Sequence, residues 1–148
     1  MVDLIVKRCL AAEFPATYAS TIHDLDPASV AALYAPDGIV DQIWGVSTGR
    51  AEIEAAYRSR FSEWENATHW TMNARVITWN DGAATVRSYI VGLFFFNTED
   101  EHRPLLYRGE YKFELVWGDD VEGWLIKHLT ISRHGVNTLS LGDASYVP

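Results

Sequence analysis

Apolar positions recur every fourth residue early in the chain. Leu10, Phe14, Tyr18 and Ile22 form one stripe, the spacing of an amphipathic helix. Pro15 sits inside the stripe, so the helix is expected to begin near it or to kink there. Asp26 followed by Pro27 reads as a cap with proline at the first helical position. It opens a short helix through Val30, Leu33 and Tyr34, which Ala35-Pro36-Asp37-Gly38 ends. Residues 38–44 read as a brief strand. Thr48 is placed to cap a third helix over residues 50–64, with Ile53, Ala56, Tyr57 and Phe61 on its buried side.

After Glu65 the period changes from helix to strand. Residues 69–79 read as one strand and 84–97 as a second, joined by the tight-turn signal Asn80-Asp81-Gly82. A polar turn over 98–104 leads to the clearest strand in the chain. There Tyr107, Gly109, Tyr111, Phe113, Leu115 and Trp117 alternate with Arg108, Glu110, Lys112, Glu114 and Val116, one face apolar and the other charged. A turn over 118–123 precedes a last strand over 124–133, and 135–148 reads as a loose tail. Helices first and hairpin-connected strands afterwards predict an α+β domain, with about three N-terminal helices packed on a curved antiparallel sheet. Long strands curl, and helices close only part of the hollow, so a ligand cavity is expected.

Composition narrows the partners. The chain has 148 residues, which suits one domain over 1–148 with its core at about 14–133. A formal charge of −8 argues against nucleic acid, whose phosphates need a basic footprint. No apolar run approaches the ~18 residues of a membrane span, and the start lacks a signal-peptide pattern. Cys9 is the one cysteine; it reads as a free buried thiol, which suits the cytoplasm. The five histidines show no metal-ligand spacing, and phosphate-loop, dinucleotide and nucleophile-elbow motifs are absent. No metal and no cofactor are therefore expected.

Several short motifs, in order, resemble the SnoaL-like (nuclear transport factor 2-like) superfamily between Phe14 and Arg133. They are Tyr18 with Ile22-His23-Asp24-Leu25-Asp26, Leu33-Tyr34-Ala35-Pro36-Asp37, and Thr48-Gly49-Arg50-Ala51-Glu52-Ile53. Thr68-His69 with Asn73, Asp81-Gly82-Ala83-Ala84, Arg108-Gly109-Glu110-Tyr111 and Gly123-Trp124-Leu125-Ile126 follow. The resemblance implies a cone-shaped α+β fold around a pocket. Its members include isomerases, dehydratases, polyketide cyclases, a dehydrochlorinase and non-catalytic binding subunits, so it implies no single activity. A cofactor-independent lyase, isomerase or cyclase acting on a hydrophobic cyclic or aromatic oxygenated molecule is the enzymatic expectation. A small-molecule-binding or assembly module is the alternative. Dimerisation through the sheet's outer face is common in the superfamily; Arg108, Glu110, Lys112 and Glu114 there would make a homodimer polar and salt-sensitive.

The resemblance also picks out residues. His69 matches the pocket histidine of the dehydratase and dehydrochlorinase branches, where it would act as general base or acid. Alternation puts it on one face with Thr71 and Asn73; a structural histidine at a strand start is the other reading. Tyr18 matches a tyrosine that donates to a developing oxyanion, and as a plain core aromatic it would need no such role. The dehydratase branch commonly has an aspartate five residues after that tyrosine, a position held here by His23 with Asp24 beside it. Either Asp24 orients His69 after a register shift, or the dyad is absent and His23 faces His69. The isomerase carboxylate falls at Gln42, with Asp41 facing away. His128, in phase with Trp124 and Ile126, is expected to face the cavity as a second polar group. Trp44, Phe61, Trp70, Tyr111 and Phe113 are the expected walls, and Asn73 and His23 join them as substrate contacts.

Overall fold

The computed structural model describes residues 3–96 and 104–138. Helix α1, Leu4–His23, starts where the Asp3 side chain accepts from the Ile5 N–H and runs through Pro15. Its buried ridge is Lys7, Ala11, Phe14, Pro15, Tyr18, Ala19 and Ile22, so the proline neither starts nor ends the helix. Leu10 and Cys9 are exposed; the thiol is not in the core. Helix α2, Pro27–Ala32, is capped by Asp26 with Pro27 in its first turn. Helix α3, Arg50–Phe61, buries Ile53, Tyr57 and Phe61.

Six strands form one sheet. They are β1 (Tyr34–Gln42), β2 (Gly45–Thr48), β3 (Trp64–Trp79), β4 (Ala83–Phe96), β5 (Leu105–Gly118) and β6 (Gly123–Thr138), in the order β2-β1-β6-β5-β4-β3. Several features depart from the sequence expectation. Tyr34 to Gly38 open β1 where they were expected to end α2, and β3 starts at Trp64, within the stretch expected as helix, and not at 69. The β1–β6 pairing is parallel, so the sheet is mixed. Thr48 belongs to β2, and Gly49 at φ +80 takes the N-cap of α3 without a side-chain bond. The last strand runs on to Thr138, through positions expected in a tail. The expected turn at 98–103 and the tail from 139 lie outside the described residues.

The alternating face of β5 is the floor of the core. Tyr107, Tyr111, Phe113 and Leu115 are buried, and α1 lays Phe14 and Tyr18 across them. Phe14–Phe113, Tyr18–Phe113 and Tyr18–Tyr111 meet edge-to-face at 5.7, 5.5 and 5.4 Å between ring centroids, the geometry that ring quadrupoles favour. Removing a ring such as Phe113, fully buried here, would cost roughly 3–5 kcal/mol. Bulges bend the long strands. One at Met72/Arg75 puts Asn73 at φ +54, and others interrupt the β5–β6 ladder at Arg108/Gly109 and Glu114/Leu115.

One buried cation fastens α1 to the β3–β4 hairpin. The Lys7 ammonium donates to the Asp81 carbonyl at 2.9 Å and its carboxylate at 2.7 Å, and lies 4.3 Å over the Trp117 ring. The Trp124 indole N–H donates to the Lys7 carbonyl at 2.8 Å. The Asp81 side chain is 84% exposed, so most of the stabilisation rests on the lysine's stem, its bonds and its ring contact. Replacing Lys7 by Ala should lower the unfolding free energy by about 2 kcal/mol, and Asp81→Asn by less than about 1 kcal/mol. Urea denaturation of the two variants checks the inequality.

Candidate functional site

Between α1, α3 and the inner face of the sheet lies a cavity of about 200 Å³. Tyr18, Ile22, Tyr57, Trp64, His69, Phe94, Tyr107, Tyr111 and Ile131 line it, while Gln42, Trp44, Arg60, Glu63 and Arg133 bring polar and aromatic groups to its wall and rim. Trp44 packs edge-on to Tyr57 and Trp64 at 6.3 and 6.0 Å. The Arg60 guanidinium lies 4.8 Å over the Trp44 ring and pairs with Glu63 at 3.2 Å.

His69 comes from β3 and faces Gly92 on β4. A Cβ at Gly92 would sit 2.9 Å from the Phe94 ring and 3.5 Å from His69 Cδ2; its absence lets those rings meet edge-on at 5.0 Å. His69 Nδ1 is buried with no hydrogen-bond partner. Burial, and secondarily the nearby His23, lower its pKa from 6.5 to about 4. It is therefore a neutral imidazole at pH 7. The same residue borders a shallow surface depression shared with Ala16, Ala19, Ser20, His23, Trp70 and Thr71, so it stands between the cavity and that outer face.

Across the cavity, the Tyr18 and Tyr57 hydroxyls hydrogen-bond to each other. One hydrogen serves that bond, which leaves the other phenol proton for a third oxygen. The Tyr34 hydroxyl is buried against this pair without a bond of good geometry. Burial, then the neighbouring tyrosines and the bond to Tyr57, push Tyr18 well above its ordinary pKa, and burial likewise raises Tyr34, Tyr57 and Tyr111. These phenols stay protonated and can only give hydrogen bonds to an oxyanion, not carry the charge themselves. Gln42 Oε1 and the Tyr107 hydroxyl are also buried without a partner.

The cavity thus collects Tyr18, His69, Trp44 and Tyr111 from the expected set and leaves out the others. Asp24 is exposed at the C-cap of α1, one residue beyond the last turn that faces the sheet. His23 is also exposed; its Nδ1 is 2.8 Å from the Ala67 carbonyl, which can only accept, so Nδ1 carries the proton. Asn73 follows the β3 bulge out of the inner row and lies in an outer groove with Arg75, Arg87, Ser88, Tyr89 and Glu110. Trp70 is on the outer face because it neighbours inward-facing His69. Phe61 packs behind the lining against Tyr57 and Trp64. Phe113 is sealed beneath Phe14 and Tyr18. His128 does not line the cavity: the β6 bulge reverses its phase, so Leu129 follows Ile126 inward and His128 pairs with Glu114 of the charged row.

Gln42, Tyr57, Arg60, Glu63, Trp64, Phe94, Tyr107 and Arg133 were not expected as site residues. Tyr107 and Phe94 lay on strands whose alternation was readable, whereas Arg60 and Glu63 depend on how α3 meets β3. Among the described residues Glu63 is the one carboxylate on the lining. No three described His, Cys, Asp or Glu side chains converge on a point that could hold a metal ion, and no described helix is long and apolar enough to cross a membrane.

A stability prediction follows from His69. Its unfolded form takes a proton near pH 6.5 while the folded form resists it until about pH 4, so the unfolded state binds more protons in that window. The contribution is complete above pH 6.5 and lost as pH falls toward 4, at roughly 1.4 kcal/mol for each unit of change in pKa. His69→Gln should flatten this part of the pH–stability curve, as denaturant titrations at pH 4.5 and 7 would show.

The cone of helices over a mixed sheet has close counterparts. The chain superposes on a proposed aromatic ring hydroxylase from Novosphingobium aromaticivorans with a TM-score of 0.81 at 20% identity, covering 93% of this chain and 96% of the other. A proposed scytalone dehydratase from the same species gives 0.81 at 17% identity, with 93% and 91% covered. The hexachlorocyclohexane dehydrochlorinase LinA-type3 of Novosphingobium barchaimii gives 0.79 at 13% identity, with 97% and 96% covered. At such identities the likeness is one of fold. No curated protein matches the chain by sequence. The model of the SnoaL-like domain family matches residues 11–130, and with the fold it establishes that this chain belongs to the SnoaL-like domain family.

Proposed function

We propose that the protein is a cofactor-independent lyase or isomerase that moves a proton on a small cyclic, oxygenated molecule. The observation that carries this reading is the set of buried, unpartnered polar atoms on one apolar lining: His69 Nδ1, the Tyr107 hydroxyl and Gln42 Oε1. Such atoms cost stability unless something else bonds to them, and a bound substrate would do so. Two of the structural relatives bear the names of a dehydratase and a dehydrochlorinase, both names for eliminations, which supports this reading.

In this reading neutral His69 takes a proton from the carbon beside a carbonyl. The electron pair moves onto the carbonyl oxygen, where the Tyr18–Tyr57 pair donates the free phenol hydrogen to the developing oxyanion. The enolate then expels a β-hydroxyl, which leaves as water with the proton returned by the imidazolium. Asp24 takes no part, because it stays exposed at the end of α1. Dehydration of 3-hydroxycyclohexanone to cyclohexenone is a suitable probe of the site. His69→Ala should lower its rate by about 10²–10⁴-fold and Tyr18→Phe by about 10²-fold, with folding intact by circular dichroism. A His69→Ala variant of full activity would sink the mechanism. Tight binding of the ring without turnover would support a binding module instead, a reading favoured by the lack, among the described residues, of a carboxylate beside His69.

The outer face bears on assembly. Arg87 pairs with Glu110 and Lys112 with Glu114 within the chain, which spends charges expected to cross a dimer interface. Trp70, Met72 and Tyr89 stand exposed on the same face. A homodimer formed there would bury apolar surface and persist in high salt; elution as a monomer only at 1 M salt would contradict that.

A further inference from the structure

Arg133 breaks the pattern of its strand. After the bulge, the inward positions of β6 are Leu129, Ile131 and Arg133, opposite Phe113, Tyr111 and Gly109 of β5. Two are apolar, and the third, exposed to solvent, puts an arginine at the rim of an apolar well. Gly109 makes room for the Tyr107 ring. A Cβ there would collide with the Ser132 carbonyl and lie 2.7 Å from the Tyr107 hydroxyl, so the ring folds over the glycine, whose cross-strand partner is Arg133.

The two groups have complementary needs. The Tyr107 hydroxyl is buried without a partner, and Arg133 pairs with no carboxylate among the described residues. The other arginine of the lining, Arg60, is already taken by Glu63 and Trp44. In a chain of formal charge −8, the charged groups on this lining among the described residues are two arginines and one glutamate, a net positive rim that draws anions.

We infer that the cavity takes a single-ring carboxylic acid as its anion, with the carboxylate on Arg133 and the Tyr107 hydroxyl and the ring in the well beside His69. This rests on the reading of the cavity as a ligand site and adds the substrate class. Size supports one ring: an engineered cavity of about 150 Å³ in another protein holds benzene, and this one measures about 200 Å³. A planar carboxylate suits one guanidinium, which presents two parallel N–H groups. A dianion would be half neutralised by it and would face Glu63.

Trp44 and Trp64 line the site, so intrinsic fluorescence can follow binding. The probes are benzoate, methyl benzoate and phenylphosphonate at pH 7. Benzoate should bind at least about tenfold more tightly than its ester, and salt should weaken the acid but not the ester. Arg133→Met should erase the preference, and Arg133→Lys should keep part of it. Equal affinity for acid and ester would overturn the inference while His69-dependent dehydration of the neutral ketone could still stand. Tighter phenylphosphonate would overturn the carboxylate. Binding of none of the three would overturn both the inference and the cavity reading beneath it.

Discussion

Five side-chain polar atoms among the described residues are buried without a hydrogen-bond partner: Tyr34 Oη, Gln42 Oε1, His69 Nδ1, Tyr107 Oη and His128 Nε2. Each such atom forgoes water, at a cost of about 1–3 kcal/mol. A fold that only had to be stable would place apolar atoms there. Three of the five line the same cavity, and the cavity's other properties descend from that desolvation. It holds His69 neutral, keeps the tyrosines protonated, and makes any charge placed in the well depend on fixed donors rather than water.

Much of the frame was legible because local chemistry and tertiary need agree. Asp26 and Pro27 start α2 where cap and proline should start it. Asn80 accepts from the Gly82 and Ala83 N–H groups in the β3–β4 turn, as the hairpin signal implied. The inner row of β5 follows strict alternation. Illegible features were those fixed by distant partners. The parallel β1–β6 register depends on a contact across most of the chain, and Thr48 is drawn into β2 by pairing with Ile39.

Bulges explain why the site was harder to read than the fold. Period-two reasoning holds until one residue is inserted, after which every later side chain changes face. That error moved Asn73 and His128 into the expected pocket, whereas the structure puts both outside it. The same device also builds the site. The shift in β6 turns Leu129, Ile131 and Arg133 inward, and with strict alternation from Trp124 onward those three would have faced solvent. Trp70 was a different error, since alternation from His69 already placed it outside.

The nearness of a second imidazole to the buried His69 changes the chemistry the residue can do. An aspartate beside a histidine raises its pKa and strengthens it as a base; His23 has the opposite effect, adding repulsion whenever both rings are protonated. A base with a pKa near 4 is weak but wholly unprotonated at neutral pH, so the barrier to proton removal must fall through stabilisation of the product oxyanion. The protonated tyrosine pair supplies donors for that charge, and their own raised pKa values keep the proton from being surrendered. Weak base and strong oxyanion site therefore form one solution: burial weakens the imidazole, and the same burial sharpens each hydrogen bond the phenols give.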